Sequence, residues 1–105
     1  MAWIYLCAAG LFEVGWPVGL KWAQEPSKTM LGIVVALVSM AISGWLLFLA
    51  QKEIPLGTAY AVWTGIGAVG TALLGIILFD EPATAARLAS IGLIVSGIVG
   101  LKLVT

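Results

Sequence analysis

Polar residues divide this chain into four long apolar runs. The first covers about residues 2–23 and gives way to the segment Gln24-Glu25-Pro26-Ser27-Lys28. The second, about residues 30–50, stops at Gln51-Lys52-Glu53; the third, about 56–79, stops at Asp80-Glu81-Pro82; the fourth covers about 85–104. Each run is close to the roughly 20 residues that an α-helix needs to cross the hydrocarbon core of a bilayer. None alternates polar and apolar residues as a transmembrane barrel strand does. Inside lipid every backbone N–H and C=O must be bonded within the segment, so each run is predicted to be a helix. Pro55 falls at the expected start of the third, where its missing N–H costs nothing. The expectation is an all-α membrane protein with four transmembrane helices in a single domain, residues 1–105.

Composition strengthens this picture. Of 105 residues, 62% are hydrophobic and 10% charged, against about 25% charged in soluble domains. Mean hydropathy is +1.14. No lysine or arginine precedes the first apolar run, so that run is expected to be a retained helix rather than a cleaved signal peptide. Five basic and five acidic residues leave no basic stripe for nucleic acid. With no histidine and one cysteine, Cys7, neither a metal site nor an internal disulfide is expected. Lys52 and Lys102 share one predicted membrane face with the N-terminus, and Lys21, Lys28 and Arg87 share the other. Two against three is almost no bias. The positive-inside rule then favours neither orientation strongly, and insertion both ways round is one outcome.

Against this background Glu13 stands out. It lies about midway along the first run, where a charge costs at least about 2.5 kcal/mol and marks a functional site by default. A carboxylate in such a place can trade a proton for a cation. Gly10, one turn before it, leaves open volume. Trp16, one turn after it, shares its face and offers an indole N–H and a ring that can flank a planar cation. In the third run Tyr60 and Trp63 stand at i, i+3 and precede Gly65 and Gly67, a candidate hinge because glycine weakens a helix locally. Ser43 is a mid-helix hydroxyl, free either to bond its own backbone or to help position Glu13. Gly92, Ser96 and Gly100 recur every four residues with Gly97 alongside. This small-residue stripe suits close packing, either within the bundle or at a dimer seam. Pro17 removes the backbone bond to the carbonyl of Glu13 and is expected to bend the first helix there. No Ser-His pair, phosphate loop or second intramembrane acid is present, so an enzyme is not expected.

Three stretches resemble the small multidrug resistance family, and within it the guanidinium-exporter subtype. They are Ala9-Gly10-Leu11-Phe12-Glu13-Val14-Gly15-Trp16, the segment Pro55–Ala68 with its Tyr60, Trp63, Gly65 and Gly67, and Gly97-Ile98-Val99-Gly100-Leu101-Lys102. The resemblance covers nearly the whole chain. It implies that Glu13 is the shared proton and substrate site, surrounded by Trp16, Ser43, Tyr60 and Trp63. It also implies an antiparallel, dual-topology homodimer of eight helices in the bacterial inner membrane. Such a dimer exchanges protons, its coupling ion, for guanidinium-like organic cations and uses no other cofactor. Pro17 departs from the small residue common there, and the segment Gln24–Thr29 lacks the family's usual Gly-Phe-Thr-Arg pattern. The competing expectations are a broader exporter of quaternary ammonium cations and a non-transporting subunit of a heterodimer.

Overall fold

A computed structural model describes residues Met1–Thr105. The chain forms helices α1 (Ala2–Ala23), α2 (Thr29–Ala50), α3 (Leu56–Phe79) and α4 (Ala85–Val104), with a 3-10 turn at Pro26–Lys28. All four are long and apolar enough to cross a membrane, so the chain is a multi-pass membrane protein. α2 begins at Thr29, at the end of the polar segment that follows α1. There Thr29 Oγ1 donates to Ala23 O at 2.8 Å and ties the start of α2 to the end of α1. Asp80 ends α3 in the left-handed conformation (φ 54°, ψ 31°), and the Glu81 N–H returns to Gly75 O at 3.2 Å. That bond satisfies one of the carbonyls a helix C-terminus leaves free. Thr84 caps α4, its Oγ1 accepting from the Arg87 N–H at 3.2 Å.

The chain folds as a slab, 45 × 34 × 17 Å. α1 lies against α2 and α3, whereas the backbone of α4 approaches only that of α3. The α1–α2 seam is made of small residues. A Cβ on Gly19 would stand 2.7 Å from the Gly32 carbonyl oxygen, and a Cβ on Gly15 would strike Ser39. A face of small residues on α2 serves this contact, with Gly32, Ala36 and Ser43 buried. Close backbone approach of this kind is how helices associate where lipid removes the hydrophobic drive.

Packing differs between the two ends of the slab. Ala2, Leu6, Ala50, Ile54, Ala59 and Val62 form a contiguous buried cluster near the end that carries the start of α1 and α3. Lys102 Nζ sits 4.8 Å from the Trp3 ring centroid at that end, a cation–π contact that pins α4 to α1. At the opposite end α1 and α3 part around a cleft. Only 16 of 105 residues are buried, so most of the apolar surface faces outward, as suits a chain dissolved in lipid. α4 has no buried residue. A Cβ on Gly92, Gly97 or Gly100 would meet nothing within 4 Å, and Ser96 bonds only its own helix, to Gly92 O at 2.8 Å. The stripe therefore does not pack within this chain.

Candidate functional site

Glu13 projects from α1 between α2 and α3, just beyond the closed core. Trp16, one helical turn further along α1, donates its Nε1–H to Glu13 Oε1. The i, i+3 spacing brings the indole onto the carboxylate without help from another element. Glu13 Oε2 lies 3.3 Å from Ser43 Oγ of α2. Ser43 is completely buried. Its hydroxyl also donates to Ala9 O of α1 at 2.7 Å and accepts from Trp63 Nε1 of α3 at 2.8 Å. Three helices thus converge on one hydroxyl, and no buried side-chain nitrogen or oxygen is left without a partner. Of the two options for Ser43, its own backbone or Glu13, the structure shows neither alone: it bonds the backbone of a different helix and reaches the carboxylate as well.

Gly67 explains how α3 comes so close. A Cβ there would stand 2.6 Å from Glu13 Cγ, so the stem of the carboxylate rests on bare backbone. Gly65 plays the same part towards α4, where a Cβ would come 2.9 Å from Ile98 Cδ1. α3 runs as one helix through both glycines. α1 likewise stays helical from Ala2 to Ala23 with Pro17 inside it.

Two expected neighbours sit elsewhere. Gly10 does not leave open volume beside Glu13. Ile66 fills that space, and a Cβ on Gly10 would come within 2.6 Å of its side chain. Gly10 therefore serves the α1–α3 contact in this chain. Tyr60 is 55% exposed. Its ring tilts against Trp63 with centroids 5.4 Å apart, and its hydroxyl makes no bond to Glu13.

From Glu13 a cleft of about 520 Å³ opens between α1 and α3. α1 contributes Trp16, Pro17, Val18 and Lys21, and α3 contributes Thr64, Gly67, Ala68, Thr71, Ala72, Gly75 and Phe79, with Glu81 at the far end. The cleft face of α3 was missed in the sequence, although a signal existed. Thr64, Ala68, Thr71 and Gly75 are small residues at i, i+4, i+7 and i+11, one stripe of a 3.6-residue helix. Among apolar neighbours that stripe reads as ordinary packing. No group of three or more histidine, cysteine or carboxylate side chains stands close enough to hold a metal ion.

A carboxylate held by hydrogen bonds within a membrane-spanning bundle, in the wall of a cleft, is the arrangement of a transporter rather than of an enzyme. Comparison with known proteins agrees. The family described as Small Multidrug Resistance protein matches residues 1–94. A protein named Guanidinium exporter from Yersinia pseudotuberculosis serotype I (strain IP32953) is 57% identical over 103 residues, 98% of each chain. Proteins of the same name from Salmonella typhimurium (strain LT2) and Escherichia coli (strain K12) are 54% identical over 106 residues and 53% over 108. They cover 98% and 100% of this chain and 97% and 99% of their own. The chain belongs to the small multidrug resistance family.

Proposed function

We propose that this protein is a proton-coupled antiporter that exports guanidinium and small substituted guanidinium cations across the bacterial inner membrane. The observation that carries the reading is the Glu13 carboxylate, bonded by Trp16 and Ser43 and lining the cleft. The name shared by relatives of 53–57% identity supports guanidinium as the substrate. A guanidinium group is planar and pairs bidentately with a carboxylate. Quaternary ammonium ions cannot donate hydrogen bonds, so they cannot use the Glu13 carboxylate as an acceptor in this way.

The mechanism is competition for one group. The Ser43 hydroxyl has one proton and two acceptors in reach, Ala9 O and Glu13 Oε2. With Glu13 charged, Ser43 turns its proton to Oε2, and the carboxylate, bonded from two sides, pairs with the cation. With Glu13 protonated, the carboxyl donates to Ser43 Oγ, whose own proton goes to Ala9 O. Trp63 donates to the serine in both states. Either form of Glu13 is thus satisfied, and proton and cation displace one another.

One chain leaves the cleft open to the side and the small-residue stripe of α4 uncovered, so we assign the working unit to an antiparallel homodimer. Gly92, Ser96, Gly97 and Gly100 are its helix-packing stripe, and two copies of Glu13 with Tyr60 enclose the pathway. The near-even basic count, Lys52 and Lys102 against Lys21, Lys28 and Arg87, suits insertion in both orientations. Gly65 and Gly67 are the points at which α3 bends during exchange.

The test is guanidinium flux into proteoliposomes under an imposed proton gradient. Wild-type protein accumulates guanidinium against its gradient. Glu13→Gln keeps the shape of the side chain, removes the titrating group and abolishes uptake while the protein stays folded. Gradient-driven uptake by the variant at the wild-type rate would overturn the mechanism.

A further inference from the structure

The cleft that Glu13 lines has a second carboxylate in its wall, and the mechanism above gives it no task. Lys21 is eight residues beyond Glu13, so Glu13 and the mouth are about 12 Å apart along α1. Glu81 stands at that mouth. Its position is built by the chain. The left-handed turn at Asp80 and the bond from Glu81 N–H to Gly75 O fold the segment back over the end of α3. Gly75 makes room for the carboxylate, because a Cβ there would come 2.6 Å from Oε1 and 3.1 Å from Oε2. The last carbonyls of α3 add partial negative charge beneath it.

One oxygen of this carboxylate already holds a guanidinium group. Arg87 Nη2 donates to Glu81 Oε1 at 3.0 Å. Oε2 has no hydrogen-bond partner in the chain, and a carboxylate offers about four acceptor sites. We infer that Glu81 is an outer station for guanidinium-type cations moving between water and Glu13, taking the cation on Oε2 beside Arg87. The inference rests on the reading that such cations reach Glu13. The station is a weak one: the Glu81 side chain is 44% exposed and that of Arg87 35%, and Lys21 lines the same cleft as an opposing positive charge. Weak holding suits passage, since a site on a pathway must release what it binds.

Opposite variants of the ion pair test this. In proteoliposomes under a fixed proton gradient, Glu81→Gln lowers kcat/KM for guanidinium roughly 3–10-fold, more than it lowers kcat. Arg87→Gln uncovers Oε1 and raises kcat/KM. If the pair were only a strap between the end of α3 and α4, both variants would break it alike and move kcat/KM in the same direction; that result overturns the station. Raising salt from about 50 to about 200 mM lowers kcat/KM of the wild type more than that of Glu81→Gln, because screening acts on the exposed charge. Equal salt dependence also counts against it. A binding measurement separates this inference from the function proposed above. Guanidinium titrated into Glu13→Gln protein shifts the carbon-13 carboxyl signal of Glu81. This result stands whether or not transport is proton-coupled, and an unmoved Glu81 signal overturns the station.

Discussion

Replacing Gly67 by alanine perturbs Glu13 without touching any polar atom. The added methyl would stand 2.6 Å from Glu13 Cγ and 3.1 Å from its Cβ, against the roughly 3.5–4.0 Å at which carbon atoms sit comfortably. About 1 Å must therefore be found. Helix propensity works in favour of the substitution, since alanine is better than glycine by about 1 kcal/mol in a helix interior. Overpacking works against it by about 1–3 kcal/mol, so stability changes little or falls modestly. The larger effect falls on the site. Cγ is near the root of the side chain and cannot move 1 Å without swinging the carboxylate. That swing separates Oε2 from Ser43 or Oε1 from Trp16. A hydrogen bond to a charged group is worth about 1.5–3 kcal/mol. Losing one at the low end weakens guanidinium binding by about tenfold. Gly57→Ala is the control: it lies on the same helix, and a Cβ there meets nothing within 4 Å. Binding is measured by calorimetry in detergent and folding by thermal unfolding of the same samples. Wild-type affinity in Gly67→Ala, with the protein folded, would show that the α3 backbone does not set the position of Glu13.

Three further outcomes are expected. On the proposed mechanism protons compete for the carboxylate that pairs with the cation, so apparent guanidinium affinity weakens as pH falls; a binding constant flat from acidic to alkaline pH would refute the shared site. Pro17 lines the cleft and lacks the N–H that would bond the Glu13 carbonyl. Pro17→Ala therefore restores that bond, widens the cleft, and shifts preference among substituted guanidinium compounds severalfold without abolishing guanidinium transport. Unchanged selectivity in a transport competition series would remove this role. Gly97→Leu adds bulk where a Cβ meets nothing in the chain, so it leaves the single chain folded and separates the proposed dimer. Subunit counting by single-molecule photobleaching in lipid bilayers reads this directly, and undiminished dimers would move the seam away from α4.

The sequence alone determined the four helices, because spanning lipid demands about 20 apolar residues with all backbone bonds internal, and that requirement is local. The cost of a charge in mid-membrane marked Glu13 in the same way, and i, i+3 spacing placed Trp16 upon it. What the sequence left open was everything that depends on which faces meet. Ser43 had two plausible partners, and only the crossing of α1 with α2 and α3 made it the point where Ala9, Glu13 and Trp63 converge. Gly10 read as empty volume until α3 brought Ile66 against it. The stripe on α4 was equally suited to packing inside the chain or outside it, and the fold left it uncovered. Glu81 was read as a helix stop, since its pairing with Arg87 and its place in the cleft depend on the turn at Asp80. Helix formation is specified residue by residue, whereas a site between helices depends on rotation and depth. Small residues allow many such arrangements, and only the packed bundle selects one.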